Sequence, residues 1–208
     1  MIFDCDGTLV DSEGLSVELM VALLAESGVA MDADALMARF RGRRFATMLD
    51  ELCGEFTLLD AEWLTAEFRA RTPVLFRERL QAMPGALELV RNLEIERCVA
   101  SNGPRNKIET SLTVTGLLPY FVDRIVSAYE VGAWKPDPAL IRAAAASMKL
   151  PAERCLLVED SLPGVQAGLA AGVRVAAYRL GEEELGELGQ RARQVVRIGE
   201  LADVRALL

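Results

Sequence analysis

The 208-residue chain contains no histidine. That absence removes Ser-His-Asp and Cys-His catalysis, phosphohistidine chemistry and His-ligated zinc hydrolysis, so any proton transfer must run through carboxylate, Lys, Tyr or Cys. Basic residues are scarce as well. Lys and Arg number 23 against 31 Asp and Glu, a net charge of −8, which argues against a nucleic-acid surface because phosphate backbones need clustered positive charge. Cys5, Cys53, Cys98 and Cys155 stand far apart with no Cys-x-x-Cys pair, excluding a zinc knuckle or a thioredoxin-type motif and leaving reduced, mostly buried thiols as the expectation. No apolar run approaches the roughly 20 residues of a membrane span, and no basic segment followed by a long apolar one opens the sequence. The expectation is a soluble cytoplasmic protein with neither a nucleic-acid nor a membrane partner.

What is present begins at the first residue. Met1-Ile2-Phe3-Asp4-Cys5-Asp6-Gly7-Thr8-Leu9 reads as a short strand that delivers two carboxylates onto a glycine turn. Two like charges this close repel unless a cation joins them or one binds a proton, so the pair suggests a divalent metal site or a nucleophile with an acid/base partner. The plain alternative is that Asp4 and Asp6 open a turn or cap a helix, as Asp commonly does. Cys5, between the acids, has a packing role on the strand alternation.

Downstream, Leu15, Leu19 and Leu23 recur at helical spacing until Gly28. From there to about Gln81 every periodic segment looks helical: one capped by Asp32 or Asp34, one over Phe45 to Leu52, and a long one capped by Asp60 and bent at Pro73. The pattern changes at Pro84-Gly85. Strand-like runs at 97–100, 124–127, 155–158, 173–178 and 195–198 then alternate with helical ones. This order predicts an α/β fold: a doubly wound parallel sheet, Rossmann-like, with an inserted α-helical cap domain. Residues 1–14 and 83–208 form the expected core and 15–82 the cap, joined by linkers near Asp11 to Gly14 and Arg79 to Gly85. Ligands of such sheets bind beyond the carboxyl ends of the strands. Those ends carry Asp4 and Asp6, Ser101 and Asn102, and Glu159 and Asp160, while Lys135 follows a fourth strand.

With these residues in order, the chain resembles haloacid dehalogenase superfamily hydrolases of the subgroup with a small helical cap, over nearly its whole length. The Asp-x-Asp-Gly-Thr, the Ser-Asn, the Lys-Pro-Asp-Pro and the Glu-Asp-Ser-x-x-Gly carry the resemblance. One departure is the short first strand, which leads to the expectation of a longer N-terminus. The resemblance implies that Asp4 is a nucleophile forming an aspartyl-phosphate and that Asp6 is the acid/base. It implies Mg2+ held by Asp4, Asp160 and the backbone carbonyl of Asp6, with Glu159 on a bound water. Ser101 and Asn102 would donate to phosphate oxygens, and Lys135 would offset the charge that Asp4 and phosphate bring together. Asp137 has a structural role, and Arg105 and Lys107 are weaker candidates.

The cap is expected to choose the substrate. Between Asp34 and Asp50 stand Arg39, Arg41, Arg43 and Arg44 and no acid, a cluster that is either a solvated face or a receiver for a second anionic group. Arg41 and Arg44 are the candidate substrate contacts, Arg41-Gly42 standing where related caps place a substrate-facing loop. Within the superfamily, Asp6 opposes a dehalogenase, and the absence of lysine from the cap opposes a phosphonatase. A beta-phosphoglucomutase resembles the chain closely, but such mutases carry a cap-linker histidine and a cap arginine where Phe45 stands. The reading is a Mg2+-dependent phosphatase of small phosphorylated metabolites, most similar to sugar-phosphate and 6-phosphogluconate phosphatases. Mutase-type phosphoryl transfer and a non-catalytic sugar-phosphate-binding protein are the alternatives.

Overall fold

A computed structural model describes residues 1–40 and 43–208, with Phe40 by its backbone alone. In chain order it contains β1 (Ile2–Phe3), α1 (Glu13–Glu26), α2 (Ala33–Phe40), α3 (Phe45–Glu55), α4 (Ala61–Arg79), α5 (Ala86–Arg91), β2 (Cys98–Ser101) and α6 (Arg105–Val114). It continues with β3 (Ile125–Ser127), α7 (Ala128–Val131), α8 (Ala139–Ser147), β4 (Leu156–Glu159), α9 (Leu162–Ala171), β5 (Arg174–Tyr178), α10 (Glu182–Gly186) and β6 (Val195–Ile198). A 3₁₀ segment, Leu201–Leu207, follows.

The six strands form one parallel sheet in the order β3-β2-β1-β4-β5-β6. Alternate residues serve opposite faces. Phe3, Val99, Ile125, Val158 and Tyr178 pack with α5 and α6 on one side; Ile2, Cys98, Ala100, Leu157 and Val175 pack with α8 and α9 on the other. Both faces are therefore covered, as a parallel sheet requires. The chain winds outward from β1 through β2 to β3, returns to β4 beside β1, and winds outward again. The crevice between β1 and β4 is a topological switch point, the place where such sheets bind ligands.

Helices α1 to α4 lie outside the sheet and share a cluster of their own, including Met20, Leu24, Leu36, Met48, Leu52, Leu64 and Phe68. The chain enters and leaves this helical insert side by side. Met83 N donates to Leu9 O and Asp11 N to Gln81 O, both at 2.9 Å, around an antiparallel bridge between Val10 and Ala82. Helix α4 belongs to both units, since Phe68 packs in the insert cluster and Phe76 in the core under the sheet.

The expected elements are present within one to three residues of their anticipated ends, with some differences. Asp32, not Asp34, is the residue whose carboxylate accepts from the first free amides of α2, those of Asp34 and Ala35. Pro73 sits inside α4. The short α7 and α10 went unanticipated because one turn is too brief to show a period. No helix of the described residues is long and apolar enough to cross a membrane.

Because Phe76 is fully buried and Val74 on the same helix is 52% exposed, truncating each to Ala separates burial from helix propensity. Phe76→Ala is expected to cost about 3–5 kcal/mol through its cavity and Val74→Ala no more than about 0.5 kcal/mol, read by urea unfolding; equal losses would show that α4 is not anchored through Phe76.

Candidate active site

The first acid is still part of the sheet. Asp4 N donates to Val158 O at 3.0 Å, so its side chain emerges at the carboxyl end of β1 in register with β4. The chain then turns through Gly7 with φ +79°, and any side chain there would also collide with the Asp160 carboxylate. Glycine is the residue that meets both demands. Thr8 Oγ1 closes the contact by donating to Asp160 Oδ1 at 2.7 Å. A second close approach explains the spacing after β4: a side chain at Gly164 would collide with Glu159. Ser161, which caps α9 through Gly164 N at 3.2 Å, holds Glu159 Oε1 with its backbone N–H at 3.1 Å and its hydroxyl at 2.7 Å.

Lys135 is the buried cation of this arrangement, 5% exposed. Its ammonium donates to Asp4 Oδ1 and, at 2.7 Å, to Glu159 Oε2. Its backbone N–H donates to Asn102 Oδ1 at 2.8 Å, so the amide carbonyl of Asn102 positions the lysine and leaves Nδ2 as the donor end. Ser101, at the tip of β2, accepts from Gly103 N at 3.0 Å. Asp137 accepts from Ala139 N at 2.8 Å and so opens α8, a structural role.

Carboxylate oxygens of Asp4, Glu159 and Asp160 lie within 4.8 Å of one another. Burial, then the neighbouring Glu159, push Asp4 up to about 8 against the pull of Lys135. Burial, Glu159 and Asp4 likewise push Asp160 well above the usual carboxylate range. Burial alone would lower Lys135, but Asp4 and Glu159 outweigh it and hold the ammonium more firmly protonated. Asp6 behaves oppositely. Burial would raise it, but Lys107 Nζ donates to its Oδ1 at 2.7 Å and Ser12 Oγ at 2.6 Å, and together these hold it below its ordinary value. The Asp6 carboxylate is thus held by Lys107 and Ser12 and is not one of the three grouped acids. Burial pushes the Cys5 thiol well up, in keeping with its packing role.

Full ionisation of Asp4, Asp6, Glu159 and Asp160 leaves two charges beyond the two ammonium groups bonded to them. A cluster of hard oxygens with an excess of this size fits a small divalent cation such as Mg2+.

These groups line one cavity of about 370 Å³, roofed from the helical insert by Phe45, Met48, Phe68, Arg69, Thr72 and Pro73. Of the four clustered arginines, Arg39 is paired with Glu55 at 2.6 Å and Arg43, on the cavity edge, with Glu51. Arg41 lies outside the described residues. The structure does not bring Arg44 to the cavity: its guanidinium stands 4.1 Å over the Trp134 ring, an aromatic face attractive to a cation. Phe45 faces the cavity and stacks on Phe68 with centroids 4.9 Å apart.

Lys107, a weaker candidate in the sequence, lines the cavity and bonds Asp6, and Ser12, Arg69 and Tyr129 line it with no local pattern to single them out. The signal for Lys107 was its place in the first turn of a helix that starts just beyond Ser101-Asn102. Arg105, the companion candidate, is instead paired with Glu130 and donates to Ile125 O at 2.7 Å.

Comparisons with known proteins agree with this geometry. The chain is 38% identical over 176 residues to a 6-phosphogluconate phosphatase of Escherichia coli K12, covering 84% of this chain and 80% of that one. It is 29% identical to hexitol phosphatase A of the same organism, covering 85% and 81%. A crystal structure of a HAD family hydrolase from Deinococcus radiodurans R1 with bound phosphate and sodium superposes with a TM-score of 0.77 at 29% identity, over 99% of this chain and 93% of that one. Residues 1–172 match the haloacid dehalogenase-like hydrolase family, and with the strand-end acids and Lys135 in place the chain belongs to that family as an enzyme of its phosphatase kind.

Proposed function

We propose that the chain hydrolyses the phosphomonoester of a small sugar or sugar-acid phosphate, with 6-phosphogluconate the leading substrate, in a Mg2+-dependent reaction through an aspartyl-phosphate. The observation that carries this reading is the Lys135 ammonium bridging Asp4 and Glu159 beside an acidic triad at the switch point of the sheet. The substrate choice rests on the 38% identical relative.

Asp4 is the nucleophile. Its carboxylate oxygen bonds to phosphorus as the ester P–O bond breaks, and the leaving oxygen takes the electron pair and a proton from Asp6. Water then attacks phosphorus, gives its proton to Asp6 and frees the Asp4 carboxylate. Lys107 and Ser12 hold Asp6 ionised in the free enzyme; an incoming phosphate dianion beside it raises its proton affinity, so that Asp6 takes up a proton from solvent and carries it to the leaving oxygen. Ser101 and Asn102 Nδ2 donate to the equatorial oxygens, and Lys135 offsets the charge accumulating there. Asp4, Asp160 and the Asp6 backbone carbonyl, with Glu159 on a bound water, would hold Mg2+, which supplies charge neutralisation and alignment of the phosphate. The helices from Glu13 to Arg79 act as the cap, excluding bulk water around the reacting groups.

Phosphate release from 6-phosphogluconate is expected with Mg2+ and is lost on chelation. Asp4→Asn should reduce it by at least about a thousandfold, the scale on which losing a nucleophile is felt, and undiminished release in that variant would rule out Asp4 as the attacking group. Interconversion of glucose 1-phosphate and 6-phosphate without net phosphate release would favour the mutase reading.

A second expectation concerns the metal-free protein. Asp4 keeps its proton up to about pH 8 when folded but releases it near 4 when unfolded, so between these values the folded state binds more protons and stability falls as pH rises. The melting temperature without metal should drop from pH 5 to pH 8, and Mg2+ should raise it more at pH 8 than at pH 5. A Mg2+ effect that does not grow with pH would mean that the acidic triad is not the metal site.

A further inference from the structure

The cations lining the cavity are almost all matched. Lys135 has Asp4 and Glu159, Lys107 has Asp6, and Arg43 has Glu51. Arg69 lines the same cavity and has no carboxylate partner among the described residues. It leaves α4 between Phe68 and Thr72, which are both cavity-lining, on the insert side and across from the phosphate-end groups. Its guanidinium stands 5.9 Å from the centroid of the Tyr129 ring and makes a long, 3.5 Å contact to the Tyr129 hydroxyl. Tyr129 is itself held edge-on against Trp134 at 5.3 Å, and Trp134 directly precedes Lys135.

Resting on the phosphatase reading above, we infer that Arg69 is a specificity-determining residue that receives a carboxylate at the end of an open-chain substrate remote from its phosphate, with Tyr129 as its positioning residue. A guanidinium presents a planar fork that pairs bidentately with a carboxylate. One such fork suits one carboxylate, and Phe45, Met48 and Phe68, which line the same roof, are apolar. The ring beneath Arg69 limits the rotamer freedom that binding would otherwise remove, which is how preorganisation raises affinity. The negative charge of the cavity floor adds selectivity for an elongated substrate, because a carboxylate placed near Asp6 or Glu159 would be repelled.

The test compares kcat/KM for 6-phosphogluconate and glucitol 6-phosphate, two six-carbon open-chain monophosphates that differ at the far end in a carboxylate against a CH2OH. The unmodified chain should prefer the acid. Arg69→Met should lower kcat/KM for the acid by about 10- to 100-fold, the range for losing a hydrogen bond to a charged group, mainly through KM, and bring the ratio of the two substrates toward unity. Arg69→Lys should keep part of the preference, and Tyr129→Ala should weaken it. An equal loss on both substrates would assign Arg69 to folding or cap closure and overturn the inference, as would an unchanged ratio in Arg69→Met. Equal turnover of both substrates by the unmodified chain would overturn it while leaving the phosphatase reading intact. Mg2+-dependent release from neither would overturn the phosphatase reading and this one together.

Discussion

Everything at the active end of the sheet depends on one ammonium group placed between two buried carboxylates. Asp4 comes from β1 and Glu159 from β4, adjacent strands whose ends point the same way. Without Lys135 they would face each other at close range in a site nearly closed to water. The lysine is supplied from the connection after β3 and fixed through its backbone by Asn102, beyond β2. One charge thus ties together four strand ends. Removing one member of a buried, bonded ion pair leaves an uncompensated charge and typically costs several kcal/mol, so the arrangement constrains the fold as well as the chemistry.

The two acids of the first turn, two residues apart, are driven in opposite directions. Burial and Glu159 raise Asp4, while Lys107 and Ser12 overcome burial to lower Asp6. Environments that split neighbouring carboxyls are the usual way one site hosts two roles. In the free protein burial favours the protonated form of Asp4, and the bonds from Lys107 and Ser12 favour the ionised form of Asp6. A cation beside Asp4 would favour its ionised form, and an anion beside Asp6 its protonated form.

Much of this was legible in the sequence because the informative residues sit where strand periodicity stops. The acids after β1 and β4, Ser101-Asn102 after β2 and Lys135 after β3 could be placed from alternation and turn residues alone. So could the all-helical character of residues 15–82. The spacing in Glu-Asp-Ser-x-x-Gly has a steric meaning that only coordinates reveal: Gly164 leaves room for Glu159, as Gly7 does for Asp160. What stayed hidden were partnerships across large sequence distance. Lys107 reaches Asp6 and Arg69 reaches Tyr129 through tertiary packing, and no local pattern distinguishes these cations from solvated ones. The arginine cluster shows the converse. Its charge drew notice, yet Arg39 and Arg43 are taken by Glu55 and Glu51, acids one helix later, and Arg44 by an aromatic ring.

The paired backbone of Leu9 to Asp11 with Gln81 to Met83 makes the helical insert a graft on a closed stem. Its two ends are already joined, so a longer or shorter segment between them changes the closure entropy by only about 0.6 kcal/mol per doubling of length. The sheet and its acids would not register such an exchange except through α4, whose Phe76 is rooted in the core. Sheet and insert are in this sense separable parts of one chain, each with its own apolar cluster and joined at the stem.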